Sequence, residues 1–384
     1  MARTTRRGHG DGSIYQRQDG RWAASISLEG GKRKTFYGKT RKEVQEQLKK
    51  AQHEQLQGTL VTTPQQKVEQ FLTHWLEDTH RQSIRIRTYE RYEEIVRLHL
   101  IPGIGYHQLQ KLTPQHLQAF YKQKLEEGLS STTVASFHNL LHKALETAVR
   151  WNLVARNVCS LVTPPRRRHY EIQPLSIEQV QKLQAVTHDH RLEALFLLAI
   201  GTGMRRAEIM GLKWQDLDFT LGTLQVRRIL TRVPTKMRQE KELTYVETEP
   251  KTDRSRRALA LPSFVLEALK RHRVRQLKEK LKVGPAWQEH DYVFCTAIGT
   301  HLNPTRDILD QLKKLLEKAG LPAIRFHDLR HSAATALLAL GTNPKIVQEV
   351  LGHSAISITM DIYSHVLPTM QKEAMNKLND ALQG

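Results

Sequence analysis

The run His327-Asp328-Leu329-Arg330-His331, then Leu351-Gly352-His353, then Asp361-Ile362-Tyr363-Ser364-His365, sets the character of the last third of this chain. It gathers two imidazoles around a guanidinium, adds a third imidazole after a glycine, and brings a phenol ten residues later. His327 and His331 are four apart and share a face if the segment is helical, which makes a zinc pair the obvious rival reading. However, Asp328 stands where HExxH requires glutamate, and no cysteine or acidic third ligand is at hand, so no metal is expected. A lone Gly-His is more often a helix end with an exposed imidazole. The set as a whole is another matter.

Upstream, Ser176-Ile177-Glu178-Gln179 is a capping-box start. The apolar run Leu192–Ile200 ends in Gly201-Thr202-Gly203-Met204-Arg205-Arg206-Ala207-Glu208-Ile209. The glycine spacing and the lack of GK[ST] exclude a phosphate-binding P-loop. These glycines instead let the chain turn and present Arg205 near a helix start, where Glu208, one turn on, can hold the guanidinium. A surface Arg–Glu helix pair explains the same residues equally well. Leu224–Leu230 and Arg257–Leu261 read as strands flanking Glu249-Pro250-Lys251-Thr252-Asp253-Arg254-Ser255-Arg256. A lysine on a hairpin flank usually carries no function, and Lys241 lies in the same region as Lys251.

The chain has 384 residues, which at about 150 per domain suggests two or three domains. Lys plus Arg number 59 against 39 Asp plus Glu, a net charge of +20, and each third of the chain is basic, the first 60 residues most densely. Charge spread this way fits a polyanion contacted along much of the molecule, and nucleic acid fits best. A generally basic protein is the plainer account. Apolar content of 39% supports packed cores, so wholesale disorder is excluded. Cys159 and Cys295 lie far apart, which excludes a disulfide scaffold and a thiolate zinc site. No apolar stretch follows the basic N-terminus or is long enough for a bilayer, so a cytoplasmic bacterial protein without membrane contact is expected.

In the first segment Trp22, Ala24, Ile26 and Leu28 alternate with small residues, and Asp19-Gly20 and Gly30-Gly31 mark hairpins. Thr40-Arg41-Lys42-Glu43 opens a helix with Val44, Leu48 and Ala51 on one side. A three-stranded sheet backed by one helix can enter a DNA groove, with Arg17, Arg21, Lys32, Arg33 and Lys34 nearby; a solvated basic surface is the alternative. The second segment is helical. Val68, Phe71, Leu72, Trp75 and Leu76 form one apolar stripe, Thr113-Pro114 starts a helix that stops near Gly128, and Val134, Phe137, Leu141, Ala144, Leu145, Ala148 and Trp151 line another. These aromatics are read as core. Pro164-Pro165-Arg166-Arg167-Arg168 then makes a basic linker, either a strap on DNA or simply a charged connection.

Taken in order, Arg205, Lys251, His327, Arg330, His353 and Tyr363 resemble the catalytic hexad of the tyrosine recombinase (phage integrase) family, and Leu337–Pro368 is close to that family's C-terminal signature. The likeness extends along nearly the whole chain, towards integrases of phages and integrative conjugative elements. It implies a multidomain, mainly α protein with small β-sheets. Residues 1–60 would form an arm-type DNA-binding domain and 65–158 a SAM-like helical core-binding domain. A linker over 159–171 would lead to an α+β catalytic domain over 172–384 with a tail helix.

The same resemblance implies the chemistry. Tyr363 would be the nucleophile, leaving a 3′-phosphotyrosine and a free 5′-hydroxyl. Arg205 and Arg330 would clamp the non-bridging oxygens. Lys251 would be the general acid for the leaving oxygen, His327 would assist proton transfer with Tyr363, and His353 would donate to the phosphate. Transesterification keeps the bond energy, so no cofactor, nucleotide or metal is expected. The implied partners are double-stranded DNA at core and arm sites, a homotetramer, and an excision factor and host DNA-bending protein. The apolar steps Val366, Leu367, Met370, Ala374, Leu378 and Leu382 suggest a tail helix, packed on its own domain or docked on a neighbour as in the family. Two rivals are a type IB topoisomerase, which needs no site-anchoring module, and a non-catalytic DNA-binding regulator, which would not need six reactive positions.

Overall fold

The computed structural model describes residues 12–27, 33–56, 65–166, 173–232, 245–250, 256–353, 355–363, 375–376 and 378–383; the side chains of Glu54, Arg232, Ile358 and Asp361–Tyr363 lie outside that description. The chain divides into two compact units, residues 1–169 and 170–384.

The first unit begins with an antiparallel sheet of β1 (Ser13–Gln16), β2 (Trp22–Ser27) and β3 (Arg33–Gly38). Its register sets Ile14 opposite Ala24 and Ala24 opposite Phe36, so these residues share one face with Trp22 and Ile26. That face packs on Val44, Leu48 and Ala51 of α1 (Arg41–Leu56), as the alternation predicts. The capping box is offset by a residue. Thr40 Oγ1 accepts from Glu43 N, but the Glu43 carboxylate accepts from Lys39 N, at 2.9 Å, instead of from Thr40.

The helical part comprises α2 (Val68–His74), prolonged by a π-helical turn to His80, α3 (Ile86–Ile95), which runs through another π-helical turn into α4 (Ile101–Ile104), α5 (Pro114–Glu126) and α6 (Ser131–Arg150). Phe71, Trp75, Leu117, Phe120, Phe137 and Leu141 fill one core, so the stripes read from sequence do face inward. Thr113 caps α5 and Ser130 caps α6 through side-chain oxygens. Trp151 departs from the expected core. At the C-terminal cap of α6, beyond the last packed turn, it is 38% exposed and touches Phe71 only edge-on.

The second unit is built around α8 (Glu193–Thr202), in which Ala194 through Ala199 are all buried, as expected of a helix apolar on every side. Around it lie α7 (Ile177–Thr187), α9 (Arg206–Met210), α10 (Ser263–Val283), α11 (Asp310–Lys318), α12 (Phe326–Ala339), α13 (Pro344–Leu351) and α14 (Ile356–Tyr363). Its strands form a sheet of order β4 (Leu217–Asp218), β5 (Thr223–Gln225), β8 (Ala258–Ala260), and a separate pair, β6 (Ile229–Arg232) with β7 (Tyr245–Thr248).

The expected single strand Leu224–Leu230 is therefore two. The Arg228 guanidinium turns in to the buried Asp216 carboxylate, and the chain leaves one sheet there to begin the other.

Candidate active site

Of the six residues singled out for catalysis, Arg205, His327, Arg330 and His353 have described side chains, and Tyr363 closes α14. Lys251, and the competing Lys241, lie outside the described residues.

Arg205 is held from both ends. It is the N-cap residue of α9, and Glu208, three residues on, accepts its backbone N–H at 3.0 Å and its Nη1 at 2.8 Å. Glu208 is buried at 2% exposure, so this is no solvated helix-surface pair. Burial alone would raise the Glu208 carboxyl, but Arg257 and then Arg205 hold it below the usual carboxylate range.

The turn that delivers Arg205 depends on Gly203. Its φ is +62°, in the left-handed region, and an added Cβ would meet Leu351 Cδ2 at 2.5 Å. Its carbonyl accepts from Arg330 Nη1 at 2.8 Å. Gly203→Ala is expected to lower unfolding free energy by roughly 2–4 kcal/mol, combining left-handed strain with overpacking. Urea melts check this, and an unchanged midpoint and slope would contradict it.

His327 stands in the first turn of α12, with Arg330 and His331 one turn further. The His327 and His331 rings meet edge to face, centroids 5.1 Å apart. Asp328 has a structural task. It is fully buried and caps α12 by accepting from Arg325 N at 2.8 Å and Arg325 Nη2 at 2.8 Å. His327 faces solvent, yet crowding by protein and then the Arg330 and Arg205 charges hold its pKa below the ordinary imidazole value.

His353 follows Gly352, which ends α13 in the left-handed region at φ +67°. It is not the exposed imidazole of a lone Gly-His. Only 8% of it is exposed, and its Nδ1 lies 2.9 Å from the hydroxyl of buried Thr359. Thr359 is one helical turn before Tyr363. Burial, then the charges of Arg330 and Arg205, push His353 down to about 4. At neutral pH both imidazoles are uncharged. His327 can accept a proton, and His353, if Nδ1 accepts from Thr359, carries its hydrogen on Nε2.

Sequence reasoning missed Arg257, Thr359 and the supporting carbonyls. Arg257 lies in the run Arg254-Ser255-Arg256-Arg257, which nothing in a sequence distinguishes from ordinary loop charge.

Of the proposed DNA contacts, Arg17 is exposed, lies over the Tyr37 ring at 5.3 Å and shares Asp19 with Arg21. Lys34 lies over Phe36, and Arg33 and Arg166 are exposed. Lys32, Arg167 and Arg168 lie outside the described residues. Of the tail, Leu378 and Leu382 are described, and both are exposed. Among the described residues no three histidine, cysteine or carboxylate groups are placed to share a metal ion, and no helix is long and apolar enough to cross a membrane.

Residues 173–370 match the phage integrase family, and residues 67–125 match the phage integrase N-terminal SAM-like domain. A XerC-like tyrosine recombinase of Caldanaerobacter subterraneus subsp. tengcongensis is 35% identical over 91% of this chain and 92% of its own length. The fold is that of the Tn1549 transposon integrase in complex with transposon right-end DNA, at a TM-score of 0.68 and 22% identity over 82% of this chain and all of that one. It is also similar to a lambda integrase tetramer bound to a Holliday junction, at 0.56 and 17% over 93% and 96% of the two chains.

Proposed function

The chain belongs to the phage integrase family of tyrosine recombinases, and on that premise we propose that it integrates and excises a mobile element by cutting and rejoining double-stranded DNA through Tyr363. One observation carries the assignment of residues. Arg330 Nη1 donates to the carbonyl of Gly203, two residues before Arg205, and Arg205 Nη2 donates to the carbonyl of Gly352, next to His353, while His327 lies one turn before Arg330, so the four groups gather at one site.

That site suits in-line attack at phosphorus. Arg205 and Arg330 neutralise the charge growing on the non-bridging oxygens, and neither can lose its proton. His327 takes the proton of Tyr363, whose ordinary pKa of about 10 would otherwise leave it a poor nucleophile. His353 donates Nε2–H to the phosphate. Lys251 protonates the departing 5′-oxygen, a proton an arginine would not release. The Tyr363 Oη–P bond forms as the P–O5′ bond breaks, and the new 5′-hydroxyl later reverses the exchange on a partner strand. No bond energy is lost, so neither nucleotide nor metal is needed.

The remaining parts fit a division of labour. The outer face of the N-terminal sheet carries Tyr15, Ser25, Thr35 and Tyr37 with Arg17 and Arg33 beside them, a surface of groove-reading hydroxyls and phosphate-binding cations. Residues 1–60 bind arm sites, 65–158 and 172–384 close on the core site, and 159–171 link them. Four copies assemble on two duplexes, with the exposed tail leucines docking on a neighbour, and with an excision factor and a host bending protein setting direction.

The test is a nicked core-site duplex that traps the covalent complex. Wild type should form an adduct in excess EDTA without nucleotide. A chain lacking residues 1–60 should still form it, while recombination of full sites falls sharply. Loss on chelation restored by magnesium or zinc would overturn the metal-free mechanism, and full recombination by the truncated chain would overturn the arm assignment.

A further inference from the structure

Glu208 holds two guanidiniums. Arg205 reaches it at 2.8 Å, and Arg257, just before β8, reaches Oε2 at 3.1 Å. The two arginines then converge on one helix end. Arg257 donates from Nε to the Val350 carbonyl at 2.7 Å, and Arg205 donates from Nη2 to the Gly352 carbonyl at 3.1 Å. These are the last carbonyls around the end of α13, which have no partner inside the helix and carry its negative dipole end. With Lys345, Gln348, Gly352 and His353, Arg257 also lines a cavity of about 260 Å³.

We propose that Arg257 is a positioning residue for DNA cleavage: by sharing the Glu208 charge it leaves Arg205 available to the phosphate, and by pinning Val350 it sets the helix end that presents His353. Alone with Arg205, a buried carboxylate would compete with the phosphate for that guanidinium. Arg257 shares both carboxylate oxygens with Arg205 and so weakens the competition. It reaches no reacting atom itself. The inference rests on Tyr363 cleaving DNA, and it adds to the six-residue set a group acting through Glu208.

Single-turnover cleavage of the nicked core substrate, measured beside DNA affinity, tests it. Arg257→Met should bind DNA with unchanged affinity and cleave about 100-fold more slowly, the scale of an ångström's misplacement. Arg257→Lys, which keeps the charge but cannot fork between Val350 and Glu208, should fall between Met and wild type. Adding Glu208→Gln to Arg257→Met should leave the rate no lower or raise it, since the competing charge is gone. A purely structural role would make the two losses multiply.

Multiplying losses, or a wild-type rate in Arg257→Lys and Arg257→Met, would overturn the proposal. If Arg257→Met does not fold, the Arg257→Lys rate decides. Absence of an adduct with wild type on this substrate would overturn the cleavage reading itself.

Discussion

Tyr363→Phe is expected to bind core-site DNA as wild type does and to form no covalent adduct in denaturing gels. Removing one oxygen deletes the nucleophile and keeps the aromatic ring, so binding and chemistry separate cleanly. The nearest rival phenol in sequence cannot take over. Tyr292 is 5% exposed, donates its hydroxyl to Glu247 Oε1 at 2.6 Å, and is pushed well above the usual tyrosine range by burial and by that carboxylate. An adduct that persists in the Phe variant would reject Tyr363 as the attacking group.

The second large effect separates charge stabilisation from proton donation. Arg330→Ala should slow cleavage by about 10²- to 10³-fold, the usual cost of losing a donor aimed at developing charge. It should also cost roughly 1–3 kcal/mol of stability, because the Gly203 carbonyl loses its buried donor. Lys251→Ala should slow cleavage too, but for a different reason. A 5′-bridging phosphorothiolate leaves without protonation, so that substrate should restore cleavage to Lys251→Ala and not to Arg330→Ala. Equal rescue of both variants would dissolve the distinction, and rescue confined to Lys241→Ala would move the general acid to the other lysine.

Much of the molecule was legible before its fold was known, because the signals were local. The run Leu192–Ile200 reads as a helix, and the four-residue step from His327 to His331 puts them on one face of a helix. Capping residues at Thr113 and Ser176 announced their helices from side-chain chemistry alone. What stayed hidden depends on distant partners. No local pattern says that Arg228 will turn in to Asp216 and divide a strand, or that Arg257 will find Glu208 and Val350 when Arg256 beside it pairs with the exposed Glu249. His353 is picked out by its motif, but nothing local announces its burial or its hydrogen-bond partner Thr359, six residues further along.

Besides the Glu208 carboxylate, Arg330, Arg257 and Arg205 are anchored on the carbonyl oxygens of residues 203, 350 and 352. Every amino acid supplies a carbonyl, so those anchor points are indifferent to what side chain stands there. Position 203 is the exception, since its left-handed torsion and the closeness of Leu351 strongly favour glycine. Arginines braced this way can keep their places while the side chains at those backbone anchors change, provided Glu208 stays. That gives a mobile element room to change its surface, and hence the DNA it recognises, without rebuilding the chemistry.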